Sequence, residues 1–136
     1  MSKNFTKGGS KKYPINKKNI FKGQNSESYR FTHHFFRRWN ERIKEPRFDN
    51  KKELADYIRK KYPANIVKHV SGDYYIMSNL IVTCAEDKKK NNIVFITVYG
   101  TIENNPILYN ILITQGVKGV KKTHKLYGKI PLKKFH

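Results

Sequence analysis

The spacing of apolar and polar positions changes character about halfway along the chain. From Thr32 to Lys44, "THHFFRRWNERIK", apolar residues recur at helical intervals, and on a helical wheel Phe35, Phe36, Trp39 and Ile43 share one arc. Thr32 suits the N-cap, and Pro46 cannot continue the helix. A second helix is predicted over 51–61: Asn50 caps it, Leu54, Tyr57 and Ile58 form its apolar face with Tyr62 at the margin, and Pro63 ends it. From residue 65 the period shortens to two. "NIVKHV" (65–70) reads as a short strand, "SGD" (71–73) as a turn and "YYIMSNLIVTCAE" (74–86) as one long strand. "DKKKNN" (87–92) reads as a solvated hairpin loop and "IVFITVYGTI" (93–102) as a strong strand. Its alternation sets Ile93, Phe95, Thr97 and Tyr99 on one side and Val94, Ile96 and Val98 on the other. Both long strands are apolar on both faces near their centres, which predicts a central place in a sheet with cover on each side.

"NNPILYNILITQG" (104–116) reads as a helix, with Asn104 or Asn105 as cap, Pro106 in the first turn and Gly116 as stop; the alternative is a further strand. The stripe of Ile107, Leu108, Ile111 and Leu112 favours the helix. The expected fold is therefore α+β: two N-terminal helices packed on a curled antiparallel sheet, then a C-terminal helix, the domain spanning 29–116. Residues 1–28 read as a flexible basic N-terminal segment with an ordered stretch at Tyr13–Ile15. Residues 117–136 read as a basic C-terminal tail, with one more strand as its alternative.

Length and composition narrow the class. The 136 residues suit one domain, and 38% hydrophobic content fills one small core. No apolar run approaches a membrane span, and "MSKNFTKGGSKKYPINKK" lacks the apolar middle of a secretion signal. Cys84 is the one cysteine, so neither an internal disulfide nor a Cys-rich zinc site is available, and it reads as a small core residue. The expectation is a cytoplasmic protein without metal or other cofactor. Walker, dinucleotide-turn and HExxH patterns are absent from the sequence.

Charge points to a polyanionic partner. The formal net charge is +19, and nucleic acid is the obvious counterpart. Part of the excess follows a general richness in Lys and Asn. Residues 1–28 hold seven Lys and one Glu, and residues 117–136 hold seven Lys and no acid. Arginine behaves differently: all six lie between Arg30 and Arg59, five of them by Arg47. A guanidinium grips phosphate oxygens in a planar fork, so this clustering carries more weight than scattered lysine.

Within the first helix His34, Arg38 and Arg42 form an i, i+4, i+8 row along one edge of the buried arc. Arg42 falls inside that arc, where a charge must be paired or must line a cleft. Glu41 lies next to the row, and His33 and Arg37 lie on the solvated side.

The run His34-Phe-Phe-Arg-Arg38-Trp-Asn-Glu41-Arg42-Ile43 resembles the "H-x-x-x-R-x-x-E-R" helix of small RelE-like ribonucleases in the barnase–EndoU–colicin–RelE superfamily, which includes phage endoribonucleases and toxin relatives. The resemblance covers about residues 29–102. It departs from typical RelE toxins, which often carry catalytic charges on later strands and the C-terminal segment. The resemblance implies RNA cleavage without metal: the 2′-hydroxyl attacks the adjacent phosphate and leaves 2′,3′-cyclic phosphate and 5′-hydroxyl ends. That chemistry assigns His34 the proton transfer, and Arg38 and Arg42 the scissile phosphate. Glu41 would orient an arginine or carry the second proton, Thr97 would offer a hydroxyl from the sheet, and His69 is the runner-up acid. Each also has a plainer reading: an intrahelical ion pair for Glu41, β-propensity for Thr97, a packed strand residue for His69.

For RNA binding the candidates are Arg37, Lys118, Lys121, Lys122 and Lys125 on the backbone, and Tyr99, with Tyr74 and Tyr75, for stacking bases. The partner expected is mRNA, tRNA or ribosome-associated RNA, with an antitoxin or a host protein as a further partner and no membrane. Two rival readings keep the same scaffold: a non-catalytic RNA- or ribosome-binding protein, and a phage-type inhibitor of a host protein.

Overall fold

The computed structural model describes residues 19–118, with side chains to Gln115. The elements run β1 (Tyr29–Phe31), α1 (His33–Arg42), α2 (Lys51–Lys61), β2 (Val67–Ser71), β3 (Tyr74–Met77), β4 (Leu80–Asp87), β5 (Asn92–Thr101) and α3 (Pro106–Lys118). The strands form one five-stranded sheet in the order β1-β5-β4-β3-β2. The fold is α+β.

The sheet is mixed, where the hydrophobic pattern predicted an antiparallel one. Strand β1 pairs parallel to β5 through Tyr29↔Ile93 and Phe31↔Phe95, and the remaining pairs are antiparallel. A strand of three residues is too short to display an alternation. It holds because Tyr29 and Phe31 are buried and because Arg59 and Arg30 cap its outer carbonyl at Tyr29, Arg59 through Nη2 at 2.8 Å and Arg30 through Nη1 at 2.8 Å. Charged side chains on an edge strand also discourage pairing with another chain.

Residues 74–86 are two strands and a tight turn. Met77 pairs with Leu80, so exposed Ser78 and Asn79 make a two-residue hairpin loop with Ser78 at φ 62°. The small polar pair in mid-run was its one sequence signal. In β5, two register shifts break the expected alternation: Phe95 faces Cys84 and Thr97 faces Thr83, which leaves Ile96 as an extra residue, and Val98 faces Val82 and Gly100 faces Ile81, which leaves Tyr99 as another. Phe95 and Val98 join the larger core while Tyr99 packs in a separate cluster, so Thr97 and Tyr99 do not share Phe95's side as simple alternation required. At the other end, Gly116 does not stop α3, which continues to Lys118.

Both faces of the sheet are covered. Phe35 and Trp39 from α1, Ile43 at its C-cap, and Leu54 and Ile58 from α2 fill the first face, against Tyr75, Val82, Cys84 and Phe95. Leu112 of α3 covers Ile76 and Ile81 on the second. Ile20 and Phe21 are buried with the first group, so the folded unit includes residues 19–28, which the sequence had assigned to a flexible segment. Residues 1–18 with Tyr13–Ile15, and 119–136 with their alternative strand, lie outside the described residues.

Helix α1 is stitched to β5 at its N-cap, Thr32. The Thr32 hydroxyl oxygen accepts from the Phe35 N–H at 3.0 Å and its O–H donates to the Ile96 carbonyl at 3.0 Å, while the Thr32 N–H donates to the Phe95 carbonyl at 3.1 Å. The cap that starts the helix thus also sets its angle to the strand.

Candidate functional site

Strand β5 outlasts its neighbour. Strand β1 pairs only with residues 93–95, so the later carbonyls on that side of β5 have no strand partner and need others. Helix α1 and the turn after β5 supply them. Beyond the two Thr32 contacts, Arg42 Nη1 donates to the Val98 carbonyl at 2.9 Å. Asn105 Nδ2 donates to the carbonyls of Tyr99 at 3.2 Å and Thr101 at 2.8 Å. Arg42 is exposed, not buried in the apolar arc that the helical wheel predicts: its guanidinium caps a backbone carbonyl and sits 5.8 Å from the centre of the Tyr99 ring.

Gly100 makes that approach feasible. Its φ is +121°, in the region side-chain-bearing residues rarely adopt, and a Cβ there would stand 3.0 Å from Asn105 Nδ2 and 4.0 Å from Arg42 Cβ. Gly100→Ala is therefore expected to cost about 1–3 kcal/mol of stability, from backbone strain and displaced Asn105. Urea unfolding checks this: the midpoint should fall with the slope unchanged, and an unmoved midpoint would contradict it.

The row stands on the α1 flank that leads to Arg42. His34 is half-buried. Burial, then the neighbouring charges of Arg38, Arg37 and Arg42, hold its pKa below the ordinary value of 6.5, with Glu41 pulling weakly the other way. The imidazole is thus neutral near pH 7, able to accept a proton. Arg38 Nη1 and Glu41 Oε1 form an i, i+3 ion pair at 2.5 Å. The hydrogen bond from Arg38 holds the Glu41 carboxyl below its ordinary range. The plainer expectation for Glu41, an intrahelical pair, is what the helix contains. Arg37 is exposed on the same helix.

Thr97 is opposite Thr83 in the ladder, and no hydrogen bond joins it to α1 among the described residues. His69 is on β2, the far edge strand, three ladder spacings from β5, or roughly 14 Å. Its Nε2 lies 2.7 Å from the Gly72 carbonyl and its ring 4.8 Å from that of Tyr75. It does not share a site with His34. Tyr99 does reach the row, through Arg42. Lys118 ends α3, and Lys121, Lys122 and Lys125 lie outside the described residues.

Asn105 and Gly100 were missed as parts of this site. Their signal, a glycine and an Asn pair in "YGTIENN", reads equally well as an ordinary turn. Among the described residues no group of three or more His, Cys, Asp or Glu side chains is arranged to hold a metal ion, and no helix is long and apolar enough to cross a membrane. No family model matches the chain, and no match is found among curated proteins or solved structures.

Proposed function

We propose that the protein is a metal-independent endoribonuclease whose active site is the α1 row. The observation that carries this is a half-buried imidazole, His34, on one helix flank with Arg38 and Arg42, Arg42 being fixed by Val98 of the sheet. This is the chemistry implied by the RelE-like character of the α1 motif. His34 takes the proton from a ribose 2′-hydroxyl as that oxygen bonds to phosphorus. The bond from phosphorus to the 5′ oxygen breaks, and cyclic phosphate and 5′-hydroxyl ends form. Arg38 and the remaining N–H groups of Arg42 carry the charge that grows on the phosphoryl oxygens. Glu41 orients Arg38. It is a poor acid, because its hydrogen bond from Arg38 favours the carboxylate. With His69 on the far strand, the departing 5′ oxygen takes its proton from water. The basic tails, Lys121, Lys122 and Lys125 among them, add backbone affinity and make binding steeply salt-dependent.

The direction of the His34 shift sets a test. A base works in its neutral form, and a lowered pKa keeps it neutral further into acid. The rate should stay level as pH falls through 6.5, the ordinary histidine value, and decline only below it. A pH profile of kcat/KM on an RNA substrate measures this; a decline centred at or above 6.5 would count against His34 as the base.

The second reading, a non-catalytic RNA binder, draws on the same placement of Glu41 and His69, which leaves one proton carrier where efficient cleavage uses two. It predicts binding without cleavage, unaffected by His34.

A further inference from the structure

Tyr99 and Tyr74 form an aromatic pair on the sheet face away from α1 and α2, at the margin of the smaller apolar cluster. Both are partly exposed. Their rings are 5.5 Å apart and inclined at 42°, and the Tyr74 hydroxyl donates to that of Tyr99 at 3.5 Å, at the outer limit for such a bond. The hydrogen bond with Tyr99, together with burial, pushes the Tyr74 phenol up to about 12, so it remains uncharged beside anions. The pair is coupled to the α1 row by one residue: the Arg42 guanidinium holds Val98 by its carbonyl and lies 5.8 Å from the Tyr99 ring centre. A phosphate held at Arg42 therefore brings its own or the adjoining nucleobase within reach of Tyr99.

We infer that Tyr99 and Tyr74 form a nucleobase subsite next to the phosphate-gripping row, and that the substrate is single-stranded RNA. The inference rests on the reading of that row as an RNA phosphate site and adds the class of RNA it accepts. A base stacks on an aromatic face only when it is free of its own helix; in a duplex the flat faces are covered by neighbouring pairs. Stacking on tyrosine tolerates any base, so the subsite selects strandedness rather than sequence. The splay of the two rings leaves them unable to stack fully on each other, and the Arg42 cation faces the ring that a base would share.

The test uses the full-length protein and a 2′-O-methylated oligonucleotide, which binds and cannot be cleaved, followed by fluorescence anisotropy at fixed salt. Three forms are compared: the single strand, its perfect duplex, and the single strand with abasic positions. Loss of one stacked base weakens binding by about 5- to 150-fold. Tyr99→Leu should lose that factor on the single strand and nothing on the duplex, while Tyr99→Phe, which keeps the ring, should bind like the unaltered protein. The unaltered protein should lose a similar factor on the abasic strand, a comparison that needs no variant to fold. Equal affinity for abasic and complete strands, or for duplex and single strand, would overturn the inference. Arg38→Ala separates the two claims: it should weaken binding to all three forms. If it does so while Tyr99→Leu has no effect, the phosphate row stands and the base subsite falls. If Arg38→Ala changes none of them, the row itself is not an RNA site.

Discussion

His34→Ala is expected to lower RNA cleavage by about 10²–10⁴-fold, the usual contribution of a positioned proton carrier, with RNA affinity nearly unchanged. The two readouts separate because the side chains do different work. The half-buried imidazole sits at one end of the row and contributes no charge near pH 7, so its removal takes away little attraction for phosphate. In the proposed mechanism Arg38 and Arg42 keep the grip. The variant should fold, since His34 is not part of the apolar core. Cleavage assays on total RNA and tRNA, paired with equilibrium binding, provide the check. Equal losses of cleavage and binding would make His34 a contact residue. Unchanged cleavage would move the chemistry elsewhere.

The largest effect on stability is expected at Phe95. Its ring is fully buried and meets four others: Phe21 at 5.8 Å, Tyr29 at 4.9 Å, Phe31 at 4.9 Å and Phe35 at 5.6 Å between centroids. These rings come from the N-terminal segment, β1 and α1, so Phe95 is the point at which those elements attach to the sheet. Phe95→Ala should cost about 3–5 kcal/mol, removing both the buried area and the packed neighbours around it. That is a large share of the roughly 5–15 kcal/mol holding a typical domain together. Because α1 carries the row and leans on this ring, activity should fall with the folded fraction. A urea denaturation midpoint on the variant measures the loss, and a change below about 1 kcal/mol would mean the cavity collapses without penalty.

The helices were readable from sequence because their signals are local. Thr32 and Asn50 do cap α1 and α2, each accepting from the N–H three residues on, and Phe35, Trp39, Leu54 and Ile58 are the buried stripe. The sheet was less readable because its deciding features are not local. Nothing in "YRF" announces a strand until β5 lies beside it. The turn at Ser78 hides inside an apolar run, and the extra residue at Ile96 reverses the side on which Tyr99 emerges. The candidate row was legible for the same reason as the helix, since His34, Arg38 and Arg42, with Glu41 beside them, all lie on α1. What the row touches was not legible. Arg42 on the Val98 carbonyl, Tyr99 beneath the guanidinium and Asn105 along the strand edge all depend on where β1 ends relative to β5. His69 shows the converse: a histidine in a suitable strand reads as a candidate acid until the strand order separates it from the helix.

The measurement that bears most directly on the central claim is the chemistry of the product ends. Purified protein is incubated with RNA in excess chelator, and the new 3′ and 5′ termini are identified. An α1 active site working by 2′-hydroxyl attack predicts 2′,3′-cyclic phosphate and 5′-hydroxyl ends from the unaltered protein, and none above background from His34→Ala. Ends bearing 5′-phosphate, cleavage that the chelator abolishes, or intact RNA held tightly by both proteins would contradict it.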